Sequence, residues 1–303
     1  MANDRAHFAD RLAEAVRRKG PLCVGIDPRW EMLPTGLREA YGDLPPDLRA
    51  AAAVQEFSLK VLDLVAPFTG AVKPQAAFFE LLGPPGMAAL QEVLRRASSM
   101  GLVTILDAKR GDIASTATAY ADAAFGGSTI DGSPLRVWDA DAITVNPYLG
   151  ADAVEPFITA ARATERGLFV LVRTSNPGAK LFQDLVCDGK PVYRHVGEAV
   201  AQWNSANLGD CGLGDVGAVV GATHPNELIE LRAALPNVWF LVPGYGAQGG
   251  TAADVRAAYR PDGLGAIVNS SRGVTFPFKP DDPAWETKIA EAAKRSAREL
   301  SSV

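Results

Sequence analysis

The sequence predicts an α/β protein: a (β/α)8 TIM barrel, one domain, with an extended loop after the first strand. Three observations predict it. Eight short apolar runs rich in β-branched residues recur at fairly even intervals along the 303 residues. Segments rich in Ala, Leu, Glu and Arg with helical spacing lie between them, such as AAVQEFSLKVLDLV and MAALQEVLRRASSM. The runs show little internal polar alternation, as parallel strands buried on both faces require. Eight such alternations in one chain of this length point to a closed barrel. A doubly wound open sheet is the rival, but no Gly-rich dinucleotide fingerprint follows the first strand.

In chain order, residues 3–19 read as a helix closing the barrel floor, and LCVGID (22–27) as the first strand. Residues 28–47, with PRWEMLPTG and DLPPDL, read as the long loop. GAVKP (70–74) and LVTILDAK (102–109) follow as strands two and three. GGSTIDGSPLRVWD (126–139) is too long for a turn and links a helix to strand four, AITVNP (142–147). After strand five, LFVLVRT (168–174), the stretch NPGAKLFQDLVCDGKPV (176–192) sits at the functional rim and is a candidate lid. GAVVGAT (217–223), VWFLVP (238–243) and GAIVNSS (265–271) complete the set. Residues 281–299 read as the final helix, making 281–303 the C-terminal helix and tail of the same domain. No repeat or low-complexity linker divides 1–303.

Composition narrows the function. A net charge of -5 offers no electrostatic reason to expect nucleic acid or an anionic membrane as partner. An anionic ligand must therefore be held by a local site. Cys23, Cys187 and Cys211 fit neither a disulfide framework nor a zinc site, so a reducing cytoplasm is the default. The N-terminus, MANDRAHFADRLAEAV, lacks the apolar core of a signal peptide. No apolar run approaches the ~20 residues needed to cross a bilayer.

In such a barrel the carboxyl ends of the strands form the active face. Those ends carry Asp27, Lys73, Asp107 with Lys109, Asn146, Thr174 with Ser175, and Thr223 with His224. Residues two apart on a strand share a side, so Asp107 and Lys109 both face the mouth. On a surface such a pair contributes little. Asp112, past the Gly111 turn, makes an array of it. In a water-poor pocket, unit charges ~4 Å apart interact by roughly 4 kcal/mol at an effective dielectric near 20. Such an array leaves a lysine ammonium oriented to stabilise developing negative charge or deliver a proton. Further on, PGYGAQGGT (243–251) has four glycines in nine residues, and NSSRG (269–273) adds a guanidinium at the adjacent rim. Barrels often bind phosphate in these two loops, and arginine suits phosphate oxygens.

Other chemistries lack support. His7, His195 and His224 belong to no metal-ligand pattern, and no Gly-x-Ser-x-Gly elbow is present. His224, before Pro225, reads as a turn or rim residue. Flanking acids keep Lys109 charged, which opposes its use as an amine nucleophile.

DAKRGDIASTA resembles the signature of the orotidine 5′-phosphate decarboxylase family, an Asp-x-Lys-x-x-Asp-Ile/Val-x-x-Thr pattern. VGIDP, VKPQAAFFE, TVNPYLG, VRTSNPGA, VGAT, PGYGAQGG and VNSSRG occur in the order that family shows. The long first loop and the TVNPY run are similar to the longer bacterial subfamily, type 2. The resemblance implies decarboxylation of orotidine 5′-monophosphate to UMP and CO2, the last step of de novo pyrimidine (UMP) biosynthesis, with no metal or organic cofactor. It implies that Lys109 stabilises and protonates the C6 carbanion, with Asp107 and Asp112 near the substrate carboxylate. Lys73 would extend the array and contact the ribose, and Asp27 would bind a ribose hydroxyl. Ser175 would hydrogen-bond the pyrimidine, Gln248 would bridge base and phosphate, and Arg272 with the Gly273 region would hold the phosphate. It further implies a homodimer in which Asp112, Ile113 and Thr116 reach into the neighbour's site. Asn146 matches the pattern without an assigned contact. Related barrel lyases, such as 3-keto-gulonate-phosphate decarboxylase and hexulose-phosphate synthase, carry a version of the charge motif and use magnesium. A non-catalytic phosphate-ligand binding protein is the alternative from another class.

Overall fold

In the computed structural model, residues 5–223, 225–246 and 249–302 are described. Eight parallel strands close into a barrel: β1 (Leu22–Ile26), β2 (Ala71–Pro74), β3 (Val103–Arg110), β4 (Ala142–Val145), β5 (Gly167–Arg173), β6 (Val216–Val220), β7 (Phe240–Val242) and β8 (Ala266–Ser270). Each strand pairs with its neighbours in sequence. β8 returns to β1 with Leu22 opposite Val268 and Cys23 opposite Asn269. All eight strands coincide with the eight apolar runs. Among the described residues, no helix is long and apolar enough to cross a membrane.

The runs are largely apolar because each strand has two buried faces. Leu22, Val24 and Ile26 pack outward against the helices, while Cys23 points into the barrel. The inward set, Cys23, Ala71, Val103, Ile105, Ala142, Phe169, Trp239 and Ile267, forms a floor layer. Side chains alternate along a strand, so one step of two residues above this layer come Lys73, Asp107, Thr144 and Asn269, with Asp27 beyond Gly25. Strand parity therefore lifts these side chains toward the mouth.

Helix Phe8–Lys19 closes the floor, burying Phe8, Ala9, Leu12, Ala13 and Val16. It begins later than the predicted 3–19, because the His7 side chain caps it by accepting from Ala9 N at 3.2 Å. Gly167 allows the close approach: a Cβ there would lie 2.2 Å from the Phe8 ring. Around this plug, buried Asp141 accepts from Arg11 at 2.6 Å, Arg166 at 2.8 Å and Thr104 N at 2.9 Å, and pairs with Arg5 at 3.0 Å. Burial alone would raise the Asp141 carboxyl, but the charges of Arg11, Arg166 and Arg5 outweigh it and hold the pKa below its ordinary value.

Three connections are more ordered than predicted. The 28–47 loop contains a 3-10 turn, Trp30–Met32, and helix Thr35–Glu39, with Leu33 and Leu37 buried. Residues 126–139 hold a hairpin, Thr129–Ile130 against Ser133–Pro134, and residues 176–192 hold another, Val186–Cys187 against Lys190–Pro191. Each turns on an Asp-Gly pair with positive φ at both residues, Asp131 and Gly132 in one, Asp188 and Gly189 in the other. That conformation is what a two-residue hairpin needs and what Asp-Gly favours. Helix Lys180–Gln183 precedes the second hairpin. The final helix runs Trp285–Ser301, shifted from 281–299, with Pro283 ahead of its start.

Replacing Asp141 with alanine leaves the Arg166 guanidinium, whose side chain is 1% exposed, short of its buried partner. Asp141→Ala is expected to cost about 3–5 kcal/mol of stability in urea unfolding.

Candidate active site

A cleft of about 900 Å³ opens at the carboxyl ends of the strands. Its centre is Asp107, which is 5% exposed. Lys73 Nζ lies 2.5 Å from its Oδ2 and Lys109 Nζ lies 2.6 Å from its Oδ1. Gln75 Nε2 donates to Oδ2 at 3.0 Å, and Thr144 Oγ1 donates to Oδ1 at 2.9 Å. Burial alone would raise the Asp107 pKa. The charges of Lys73 and Lys109, with the hydrogen bonds from both, outweigh that effect and hold it well below the carboxylate range. Burial alone would lower Lys73. Asp107 and Asp27, with the hydrogen bond to Asp107, raise it instead. Beneath them the Cys23 thiol is fully buried, and burial pushes its pKa up to about 12, so it stays neutral.

Asp107 and Lys109 do face one side, but not by regular strand alternation. The β3–β4 register runs Leu106 opposite Ile143 and then Arg110 opposite Val145, so three residues of β3 face one of β4. Lys109 has φ +46°, in the left-handed region. The bulge delivers a lysine whose side chain is 46% exposed to the mouth, while Lys73 stays at 6%. One amine of the array is available to a ligand and the other is largely enclosed.

The cleft also brings in Asp27, Asn146, Ser175 and Arg272, all predicted at strand ends. Asp27 Oδ1 is buried and has no hydrogen-bond partner among the described residues. Asn146 Oδ1 accepts from Tyr148 N at 3.1 Å. Arg272 opens the short helix Arg272–Thr275 after β8. Gly273 follows it but does not line the cleft. Gln248 and His224 lie outside the described residues.

Asp112 is not among the residues lining its own chain's cleft. Its Oδ1 accepts from Ile113 N at 2.8 Å, and Ile113 and Thr116 are exposed. Of the four charged residues expected in the array, the chain brings together Lys73, Asp107 and Lys109. The 176–192 segment supplies Phe182 and Gln183 to the cleft wall, the Phe182 ring lying 6.5 Å from that of Tyr148. Sequence reasoning assigned no role to Gln75 and Thr144, although both stand in quoted motifs. The inward parity of Ala142 was the signal that could have singled out Thr144. Among the described residues no group of three or more His, Cys, Asp or Glu side chains is placed to hold a metal ion.

Residues 20–283 match the Orotidine 5′-phosphate decarboxylase / HUMPS family. The chain belongs to this family. It is 48% identical over 301 residues to orotidine 5′-phosphate decarboxylase of Rhodopirellula baltica, covering 97% of this chain and 98% of that one. The Deinococcus radiodurans protein of the same name is 41% identical, with 89% of each chain covered. The solved structure of Leishmania donovani OMP decarboxylase matches with a TM-score of 0.76 and 36% identity over 98% of each chain. The (β/α)8 barrel expected for the family is the fold found.

Because Asp107 titrates lower in the folded chain than in the unfolded one, its ionised form stabilises the fold above about pH 4, and that contribution is lost as pH falls through the folded value. The stability gap between the parent and Asp107→Asn, read by urea unfolding, is therefore expected to hold steady down to about pH 5 and to narrow progressively as pH falls below about 4.

Proposed function

We infer that this chain converts orotidine 5′-monophosphate to UMP and CO2, the closing step of de novo UMP synthesis, without metal or organic cofactor. The observation carrying this reading is the Lys109 ammonium, held 2.6 Å from Asp107 at the mouth of a barrel of this family. When the bond from C6 to the carboxylate breaks, the electron pair stays on a ring carbon with no adjacent carbonyl to delocalise it. A fixed ammonium beside that carbon stabilises the charge. It then gives C6 a proton and is left as a neutral amine for solvent to recharge. Asp107 and the neighbour's Asp112, near the departing carboxylate, add ground-state destabilisation as a lesser contribution.

The remaining residues bind. The unpartnered Asp27 Oδ1 suits a ribose hydroxyl, with Lys73 beside it. Ser175 takes the pyrimidine, Gln248 bridges base and phosphate, and Arg272 with the Gly273 region holds the phosphate. Binding energy from that remote group orders the array and closes the 176–192 lid. The working unit is a homodimer in which Asp112, Ile113 and Thr116 complete the partner's site. In support, Ile113 is 53% exposed and Asp112 does not line its own cleft. We read 1–303 as one domain and place it in the cytoplasm, in keeping with three free cysteines. Neither nucleic acid nor membrane is a partner.

The decisive experiment is incubation with orotidine 5′-monophosphate and EDTA, following loss of substrate absorbance. Turnover is expected to persist, whereas abolition by the chelator would favour a magnesium-dependent barrel lyase. Lys109→Ala is expected to lose at least on the order of 10³-fold in kcat while still binding UMP. Substantial residual turnover would remove Lys109 from the reaction. UMP binding by the parent without CO2 release would favour a binding protein. Mixing Lys109→Ala with Asp112→Ala is expected to restore activity through hybrid dimers, and no recovery despite demonstrated subunit exchange would contradict the shared site.

A further inference from the structure

We propose that Thr144 is a positioning residue for Lys109: its hydroxyl replaces the missing strand ladder under the β3 bulge and so aims the lysine ammonium. The inference rests on the decarboxylase reading for its kinetic consequences, though not for its geometry.

Thr144 is 1% exposed and is the one β4 residue facing residues 107–109 of β3. A bulge of this kind costs the extra residues their ladder partners, and buried N–H groups must find others. Ala108 N donates to Thr144 Oγ1 at 3.1 Å and Lys109 N donates to the same oxygen at 2.9 Å. A hydroxyl has two acceptor positions and one proton. Both acceptor positions are taken, so the proton must go to Asp107 Oδ1, 2.9 Å away. The direction of all three bonds follows from the count.

The same count closes on Asp107. Oδ1 receives Lys109 and Thr144, and Oδ2 receives Lys73 and Gln75. Four donors occupy the roughly four acceptor positions of an ionised carboxylate, so it cannot turn without losing partners. Lys109, meanwhile, holds a left-handed φ that non-glycine residues adopt only where their surroundings over-determine it. Thr144 grips this residue at both ends, through its backbone N–H and through the carboxylate that its ammonium contacts. Without the hydroxyl, two N–H groups and one carboxylate position are orphaned together. Relaxing the bulge toward regular strand relieves them and withdraws the ammonium from its place. The phosphate and ribose contacts stay as they were.

Thr144→Val keeps the shape and removes the hydroxyl, and Thr144→Ser keeps the hydroxyl. The valine variant is expected to lose on the order of 10²-fold in kcat, the scale of a 1 Å misplacement, with KM for orotidine 5′-monophosphate and UMP affinity nearly unchanged. Serine is expected to restore most of the loss. A second readout does not need turnover: amide hydrogen exchange at Ala108 and Lys109 should accelerate in the valine variant and not in the serine variant. A valine variant with parental kcat, a loss residing in KM, or unchanged exchange at both amides would overturn the proposal. Should the valine variant fail to fold, Thr144→Cys, whose sulfur is a weak acceptor, is read by the same measurements. Absence of turnover in the parent chain would refute the decarboxylase reading alone, and the exchange rates would still decide the role of Thr144.

Discussion

One buried carboxylate organises the mouth of this barrel. Asp107 is charged in a place where charge is costly, and it is tolerable there only because donors surround it. Those donors come from different strands: Lys73 from β2, Gln75 from just beyond it, Lys109 from β3 and Thr144 from β4. A single anion thus keys three neighbouring strands together at their carboxyl ends. It also lets two ammonium groups sit within reach of one another, since each is compensated by an oxygen of the same carboxylate.

The opposite end of the barrel has its own buried carboxylate, and the contrast is chemical. Asp141 is ringed by arginines, whose planar forks and permanent charge suit fixed structure. Asp107 is held by lysines, compact ammonium groups on flexible stems. Both ends solve the same burial problem. Only the upper solution leaves an ammonium group facing an open cleft.

The architecture was legible because strands with two dry faces read as continuous apolar runs, and all eight were visible that way. Strand-end residues were legible for the same reason, since parity carries the inward face from Cys23, Ala71 and Ala142 up to the mouth. The bulge was not. Nothing local in LDAKRG announces that Lys109 turns left-handed; the pin is Thr144, more than thirty residues away on another strand. Threonine inside a buried run also passes for an ordinary strand former. The two Asp-Gly hairpins carried a readable signal in IDGS and CDGK, which the reading of 126–139 as a link and 176–192 as a candidate lid left unused. Asp112 marks a different limit, because nothing in the signature itself announces that its side chain is not among those lining the cleft of its own chain.

The plug formed by the first helix has a bearing on access to the cleft. Phe8, Leu12, Cys23, Phe169 and Trp239 are each at most 1% exposed, so packed, largely apolar side chains fill the axis below the lysines. The vessel is open at one end only. Incoming nucleotide and departing gas therefore share the mouth at the strand ends, which ties the readiness of each new cycle to the emptying of the last.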